Sequence, residues 1–163
     1  AAAMIGTLAS CAMETTPEQS AEIERKYRPV VNAALPACIA SASGRKADYA
    51  QLFALGYQRR APAFGAGDYL YPQGKSMLFG GDEGIRFVPG EGCYAGHDGL
   101  TGVAMGGMSE IGQVWIRALE QAGYQDTDGS PSTFSFTANG VPMTFRGSWS
   151  SDSGIQFRVQ RTN

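Results

Sequence analysis

Residues 134–159, FSFTANGVPMTFRGSWSSDSGIQFRV, decide the fold of the chain. Apolar and polar residues alternate through most of this stretch, which is the period of a β-strand with one buried face. Asn139-Gly140 is a dipeptide preferred in type I′ hairpins, and Ser151–Gly154 predicts a second turn. We therefore predict three antiparallel strands that bury one set of side chains: Phe134, Phe136, Val141, Met143, Phe145, Trp149, Ile155, Phe157 and Val159.

A helix is predicted immediately before this meander, from Ser109 to about Ala122. Its apolar residues recur at helical spacing, and Gly123 supplies the left-handed residue that often follows a helix. These apolar residues are Ile111, Val114, Trp115, Ala118, Leu119 and Ala122. The second half of the chain is thus predicted to be one αβββ unit.

Three segments of this unit have counterparts earlier in the chain, in the same order and 66 to 70 residues apart. The matched pairs are 56–58 (GYQ) with 123–125 (GYQ), 73–79 with 139–145, and 84–87 (GIRF) with 154–157 (GIQF). We interpret them as an internal duplication, with repeat one over about 48–94, a glycine-rich linker over 95–108, and repeat two over about 109–161. Chance similarity between glycine-rich turns is the alternative.

Repeat one is predicted to have the same strand pattern as repeat two. Its three strands would carry Tyr69 and Tyr71, then Met77 and Phe79, then Ile85 and Phe87 on one face. If the duplication is real, residues 48–87 and 109–159 superpose as two αβββ units with one strand order.

The N-terminal part of the domain, residues 17–42, is predicted to be helical. Thr16 and Gln19 form a capping box, and Pro17 fits the first turn. Pro29 and Pro36 predict a kink or a break. Residues 17–163 are therefore predicted to be a single α+β domain, with two tandem αβββ repeats preceded by an N-terminal helical segment. The antiparallel sheet of about six strands, whether continuous, split or closed, would have helices packed on one face.

The segment Leu8–Cys11 (LASC) resembles the lipobox of bacterial lipoproteins, whose final cysteine is lipidated. The resemblance implies a signal segment over 1–10, a tether over 11–16, and anchoring of lipidated Cys11 in an envelope membrane. Ala12 after the cysteine implies the outer membrane and a periplasmic location. No basic residues precede the segment, and an uncleaved apolar tail is the alternative.

The chain has three cysteines. Lipidation of Cys11 would leave Cys38 and Cys93 as a pair, and export would place them where a disulfide persists. We therefore predict a Cys38–Cys93 disulfide, with two buried free thiols as the alternative.

His97 is the one histidine of the chain, and Asp98 follows it within a glycine-rich stretch. Such a pair could act as a general base in a small envelope hydrolase. Adjacent residues rarely form a working dyad, however, and no Gly-x-Ser-x-Gly nucleophile motif is present. A solvated histidine between the repeats is the simpler interpretation.

Other chemistry finds little support in the sequence. The glycine-rich stretch lacks the dinucleotide and P-loop motifs, so no cofactor is expected. Residues 126–130 (DTDGS) resemble a calcium loop only faintly and are interpreted as a turn, so no metal is expected. A net charge of −2 gives no electrostatic reason to expect nucleic acid.

The polar residues of the predicted strands form the remaining candidate site. Strand alternation places Arg146, Arg158, Gln156 and Thr144 on one face of repeat two, and Arg86 on the matching face of repeat one. The arrangement resembles that of proteinaceous enzyme inhibitors such as β-lactamase inhibitory protein. We interpret this face as the docking surface of a non-enzymatic binding or inhibitory module for a protein or glycan, with an ordinary solvated face as the alternative.

Overall fold

In the computed structural model of the protein, the described residues are 15–60, 66–73, 84–97, 106–150 and 154–163. The predicted lipidation site Cys11, the strand expected around Met77 and Phe79, and Asp98 lie outside these residues.

The described part of the chain forms three helices and seven strands. The helices are α1 (Pro17–Ala42), α2 (Ala50–Ala54) and α3 (Gly106–Gln121). The strands are β1 (Tyr57–Arg60), β2 (Asp68–Pro72), β3 (Ile85–Val88), β4 (Gly92–His97), β5 (Phe134–Ala138), β6 (Val141–Ser150) and β7 (Gly154–Arg161). Within these residues, no helix has the length and hydropathy needed to span a bilayer.

All seven strands belong to one antiparallel sheet in the order β1-β2-β3-β4-β7-β6-β5. The chain runs as a meander from one edge to β4, crosses through α3 to the other edge at β5, and returns to the centre with β7. Side chains from all three helices and from one face of the sheet share a single core. The α+β class, the antiparallel sheet and the helices on one face are thereby confirmed.

The meander of the second half forms as predicted. The β5–β6 hairpin turns at Asn139 and Gly140, whose φ angles of 53° and 75° are those of a type I′ turn. The predicted apolar positions of β5, of β6 as far as Phe145, and of β7 face the helices, where the Phe145 ring stacks on Trp115 and on Phe157 with 5.8 Å between centroids in both pairs. This half of the sheet and α3 therefore share an aromatic core.

The first half differs from the predicted repeat in strand order. The GIRF and GIQF segments correspond to β3 and β7, but β2 pairs directly with β3 whereas β6 separates β5 from β7. In addition, β1 was not predicted, and β4 extends through His97 into the stretch interpreted as a linker. The described strands of the two halves therefore do not share one order.

The matched GYQ segments share a local turn. In each, the glycine N–H donates to a carbonyl three residues earlier, Gly56 to Phe53 and Gly123 to Glu120. The tyrosine that follows packs against the core in both halves. Ending a helix with glycine and then burying an aromatic ring explains this sequence match without a shared topology.

Helix α1 begins with the predicted capping box at Thr16 and Gln19. It continues through Pro29 and Pro36, where a kink or break was expected. Both prolines lie on the exposed side of the helix, so the carbonyls that lose an amide partner can be hydrated. Burial of the opposite side keeps the helix in one piece through both positions.

The predicted Cys38–Cys93 disulfide is confirmed, with 5.0 Å between the two Cα atoms. It joins α1 to the central strand β4. One turn later, the buried Ser41 hydroxyl donates to the carbonyls of Val88 (2.9 Å) and Gly92 (3.1 Å). The C-terminal half of α1 is thus held to the β3–β4 turn by a covalent bond and by hydrogen bonds.

Candidate functional site

The face of the sheet opposite the helices is called the open face. Its side chains alternate along each strand with those of the core, and the cross-strand register assigns them to it. They are Gln58, Arg60, Tyr69, Tyr71, Arg86, Val88, Gly92, Tyr94, Gly96, Ser135, Thr137, Pro142, Thr144, Arg146, Ser148, Gln156, Arg158 and Gln160.

Six of these residues are direct cross-strand partners, one from each of six adjacent strands. In spatial order they are Arg60, Tyr69, Arg86, Tyr94, Arg158 and Arg146. We call this line the arginine–tyrosine row. It runs perpendicular to the strands over five inter-strand steps of about 4.8 Å, or roughly 24 Å in all.

Stacking contacts hold the central part of the row. The Arg158 guanidinium lies 5.2 Å from the Tyr94 ring centroid, at cation–π distance. Its Nε and Nη2 both donate to Gln156 Oε1, at 3.1 and 3.0 Å. The planar group is thus fixed from two sides, which leaves the Nη1 donors for a ligand.

The β1–β3 end of the row is also packed. The Tyr69 and Tyr71 rings stack with centroids 4.7 Å apart, and the Arg60 guanidinium lies 5.9 Å from the Tyr71 centroid. Arg86 donates from Nη2 to the Ala66 carbonyl at 3.3 Å. Its Nε is buried without a hydrogen-bond partner among the described residues.

The open face is positively charged although the whole chain carries a net charge of −2. Among its described residues, four are arginines and none is Asp or Glu, and the Asp128 carboxylate reaches this face only at its β5 edge, where it accepts from the Ser135 hydroxyl. Asp68, on the adjacent strand position, belongs to the helix side, where its carboxylate pairs with Arg59 at 2.7 Å and accepts from the Tyr49 hydroxyl at 2.9 Å. Burial raises the pKa of Tyr49, as does its hydrogen bond to that carboxylate. The Asp68 carboxylate is therefore paired on the helix side of the sheet, and it does not compensate the charge of the arginines in the row.

The arrangement of Arg146 and Arg158 is electrostatically unfavourable for folding. They are direct partners across β6 and β7, and like charges at such positions destabilise a sheet. No carboxylate among the described open-face residues offsets them. A cost of this kind is expected at functional surfaces rather than at neutral ones.

The structure brings most of the predicted surface together. Arg86, Arg146 and Arg158 lie in the row, Gln156 contacts Arg158, and Thr144 lies two residues from Arg146 on the same face of β6. Three row residues were missed: Arg60, Tyr69 as a surface residue, and Tyr94. For Tyr94, the sequence did contain a signal. The small residues Cys93 and Ala95 alternate with it, which is the pattern of a strand that buries these two residues and turns Tyr94 to the other face.

His97, the candidate general base, is the last residue of β4, where its backbone pairs with Ile155. The structure thus places it in the sheet rather than in a linker loop. Its side chain and its predicted partner Asp98 lie outside the described part of the chain.

Residues 126–130, the faint calcium-like motif, use their carboxylates to hold their turn against strand β5. Asp126 Oδ1 accepts from the Ser135 N–H, and Asp128 Oδ2 accepts from the Ser135 hydroxyl at 2.7 Å. This hydroxyl contact, with the Ser130 N–H, lowers the pKa of Asp128. Across the described ranges, no group of three or more His, Cys, Asp or Glu side chains could hold a metal ion.

A cavity of about 600 Å³ lies between α3 and the loop before β5. Its walls include Gln113, Ile116 and Glu120 of the helix and Ser130 and Ser132 of the loop. These side chains offer no nucleophile paired with a base. The open face therefore stays the stronger candidate site.

No protein-family model, no curated protein and no solved structure matches the chain.

Proposed function

We propose that the protein is an exported, lipid-anchored envelope protein that binds a partner through the open face of its sheet without catalysing a reaction. The observation that carries the proposal is the arginine–tyrosine row. Arginine and tyrosine are enriched at binding surfaces because each combines a large contact area with directional hydrogen bonding.

The way the row is held also favours binding. A guanidinium that is already stacked on Tyr94 and bonded to Gln156 loses little freedom when a ligand arrives. The row provides donors without carboxylates beside them, so it suits recognition of anions and lacks the acid–base pairs of a hydrolase.

The disulfide supports the export part of the proposal. Cys38 and Cys93 are fully buried and joined, and such bridges persist in oxidising compartments such as the periplasm. Lipidation of Cys11 is tested by mass spectrometry of the full-length protein produced in a bacterial host. The expected product begins at a Cys11 that carries acyl chains; an unmodified Cys11 within a longer chain would contradict the anchor.

Binding through the open face is tested with the double variant Arg146→Glu/Arg158→Glu. Immobilised protein is incubated with solubilised envelope extract, and the captured material is compared with that of the wild type. We expect capture to be lost, because two donors become repulsive carboxylates, and circular dichroism checks that the variant stays folded without the Arg158 contacts to Tyr94 and Gln156.

The matched control is Arg25→Glu/Arg45→Glu, which makes the same change of charge at two exposed arginines away from the open face. It should capture as much as the wild type. Equal capture by all three proteins would contradict the proposal. Equal loss of capture in both variants would contradict it too, because it would show that capture depends on the net charge of the protein and not on the open face.

A further inference from the structure

We infer that the partner is a linear acidic polysaccharide that lies along the arginine–tyrosine row, across the strands. The inference rests on the proposed function and adds the chemistry of the ligand. Three features of the open face carry it: the shape of the row, the groups beside it, and the residue types that the face lacks.

The row is one residue wide, and its arginines are spread along its whole length. Arg60, Arg86 and Arg158 lie on every second strand, which separates neighbouring members by about 10 Å. A compact anion would reach one or two of these groups. A chain with carboxylates at regular intervals offers one to each of these guanidinium groups, and hydrogen bonds between two charged groups are stronger than those between neutral groups.

At the β6–β7 end of the row, neutral hydrogen-bonding groups lie on both sides of it. Ser148 and Gln156 are direct partners on one side, and Thr144 and Gln160 are direct partners on the other. Amide and hydroxyl groups both donate and accept, so they match the hydroxyl groups of a sugar chain. A polysaccharide with carboxylates therefore fits both the row and its borders.

The centre of the row leaves room for a ligand to approach the sheet. Tyr94 is half-buried, and its neighbours on the open face of β4 are Gly92 and Gly96. Neither position carries a side chain, so the Tyr94 ring has no side-chain neighbour from its own strand on this face. Aromatic rings with a polar tip suit ligands such as sugars, which combine C–H surfaces with hydroxyl groups.

The open face has few of the apolar groups found at protein interfaces. Its described side chains include no Leu, Ile, Met, Phe or Trp, whereas the buried centre of a protein interface is distinctly apolar. The exposed large hydrophobic residues of the described chain are Phe53 and Leu55, at the end of α2. Arginine and tyrosine are also common at protein interfaces, so the regular spacing of the guanidinium groups, and not the residue types alone, favours a polysaccharide.

The inference is tested with polygalacturonate, a linear chain of carboxylated sugars, by isothermal titration calorimetry at physiological ionic strength. We expect binding that weakens with added salt. We also expect affinity to rise with the length of galacturonate oligomers until the chain covers the row. Neutral dextran of similar length should not bind.

The variant Arg86→Gln/Arg158→Gln should lower the affinity by roughly 100-fold, because a charge-assisted hydrogen bond contributes on the order of tenfold or more per arginine. Arg25→Gln/Arg45→Gln removes the same charge elsewhere and should leave the affinity unchanged. Arg158→Lys keeps the charge but loses the planar group, and should bind on the order of tenfold more weakly than the wild type. Circular dichroism checks that each variant is folded.

The outcomes separate this inference from the proposed function. Equal or tighter binding of poly-L-glutamate or of a thymidine oligonucleotide overturns the polysaccharide in favour of an acidic protein or a nucleic acid. Unchanged affinity in Arg86→Gln/Arg158→Gln overturns it too. If no polyanion binds while envelope capture still requires Arg146 and Arg158, the inference fails and the proposed function stands. If capture is independent of these arginines, both fail.

Discussion

The double variant Cys38→Ala/Cys93→Ala is expected to lose about 4 kcal/mol of unfolding free energy relative to the wild type. The disulfide connects residues separated by 55 positions, and an open chain of that length gains much conformational freedom in the unfolded state. Guanidinium chloride unfolding of both proteins, followed by tryptophan fluorescence, measures the difference. Both proteins also carry Cys11→Ser, so that the two proteins differ only at the cysteines of the disulfide.

Reduction of the wild type separates the covalent link from the packing of the two sulfur atoms. Both cysteines are fully buried, so the alanine variant also loses apolar contacts. Unfolding with dithiothreitol should therefore show most, but not all, of the loss seen in the variant. A midpoint that reductant does not move would show that the bridge contributes nothing to the folded protein.

This disulfide and the β5–β7 meander were predictable because each has a strong local signal. Two cysteines that remain after one has been assigned to lipidation form a natural pair. In residues 134–145, apolar residues at every second position and an Asn-Gly turn together define the strands, their buried face and their register. Local chemistry and tertiary packing agree in this part of the chain.

Strands β1 and β4 were not predictable for a physical reason. Strand β1 is a short edge strand with the sequence YQRR, and its exposed residues show no apolar alternation. Strand β4 contains Gly92 and Gly96, and glycine is depleted in strands because it packs no side chain there. Both strands form because the neighbouring strands offer unpaired backbone N–H and C=O groups. The local sequence pattern contains no information about these neighbours.

The arginine–tyrosine row is a consequence of those two strands. Each of its six members comes from a different strand, and they line up only through the pairing of those six strands. Strand alternation could place Arg86, Arg146 and Arg158 on a polar face. It could not give the register that aligns them.

The substitution Gly92→Ala is expected to destabilise the protein by about 3–5 kcal/mol, from backbone strain and overpacking together. Gly92 has a φ of 141°, and an added Cβ would lie 1.9 Å from the Val159 carbonyl oxygen. That oxygen is backbone at the β4–β7 pairing, so it cannot turn aside as a flexible side chain would. Relief requires the two central strands to separate locally, which would also strain the hydrogen bond from Ser41 to the Gly92 carbonyl.

Gly90→Ala, two residues earlier, provides the matched control. Gly90 also has a positive φ, of 80°, but an added Cβ there meets no atom within 4 Å. It should cost about 1–2 kcal/mol, the strain of a left-handed alanine alone. Thermal and guanidinium unfolding of the two variants beside the wild type measure the difference. Both variants adopt a positive φ, so the excess in Gly92→Ala reports the contact with Val159 together with the greater backbone strain at a φ of 141°. If the two substitutions cost the same, the close approach of β4 to β7 at this point does not constrain the sheet.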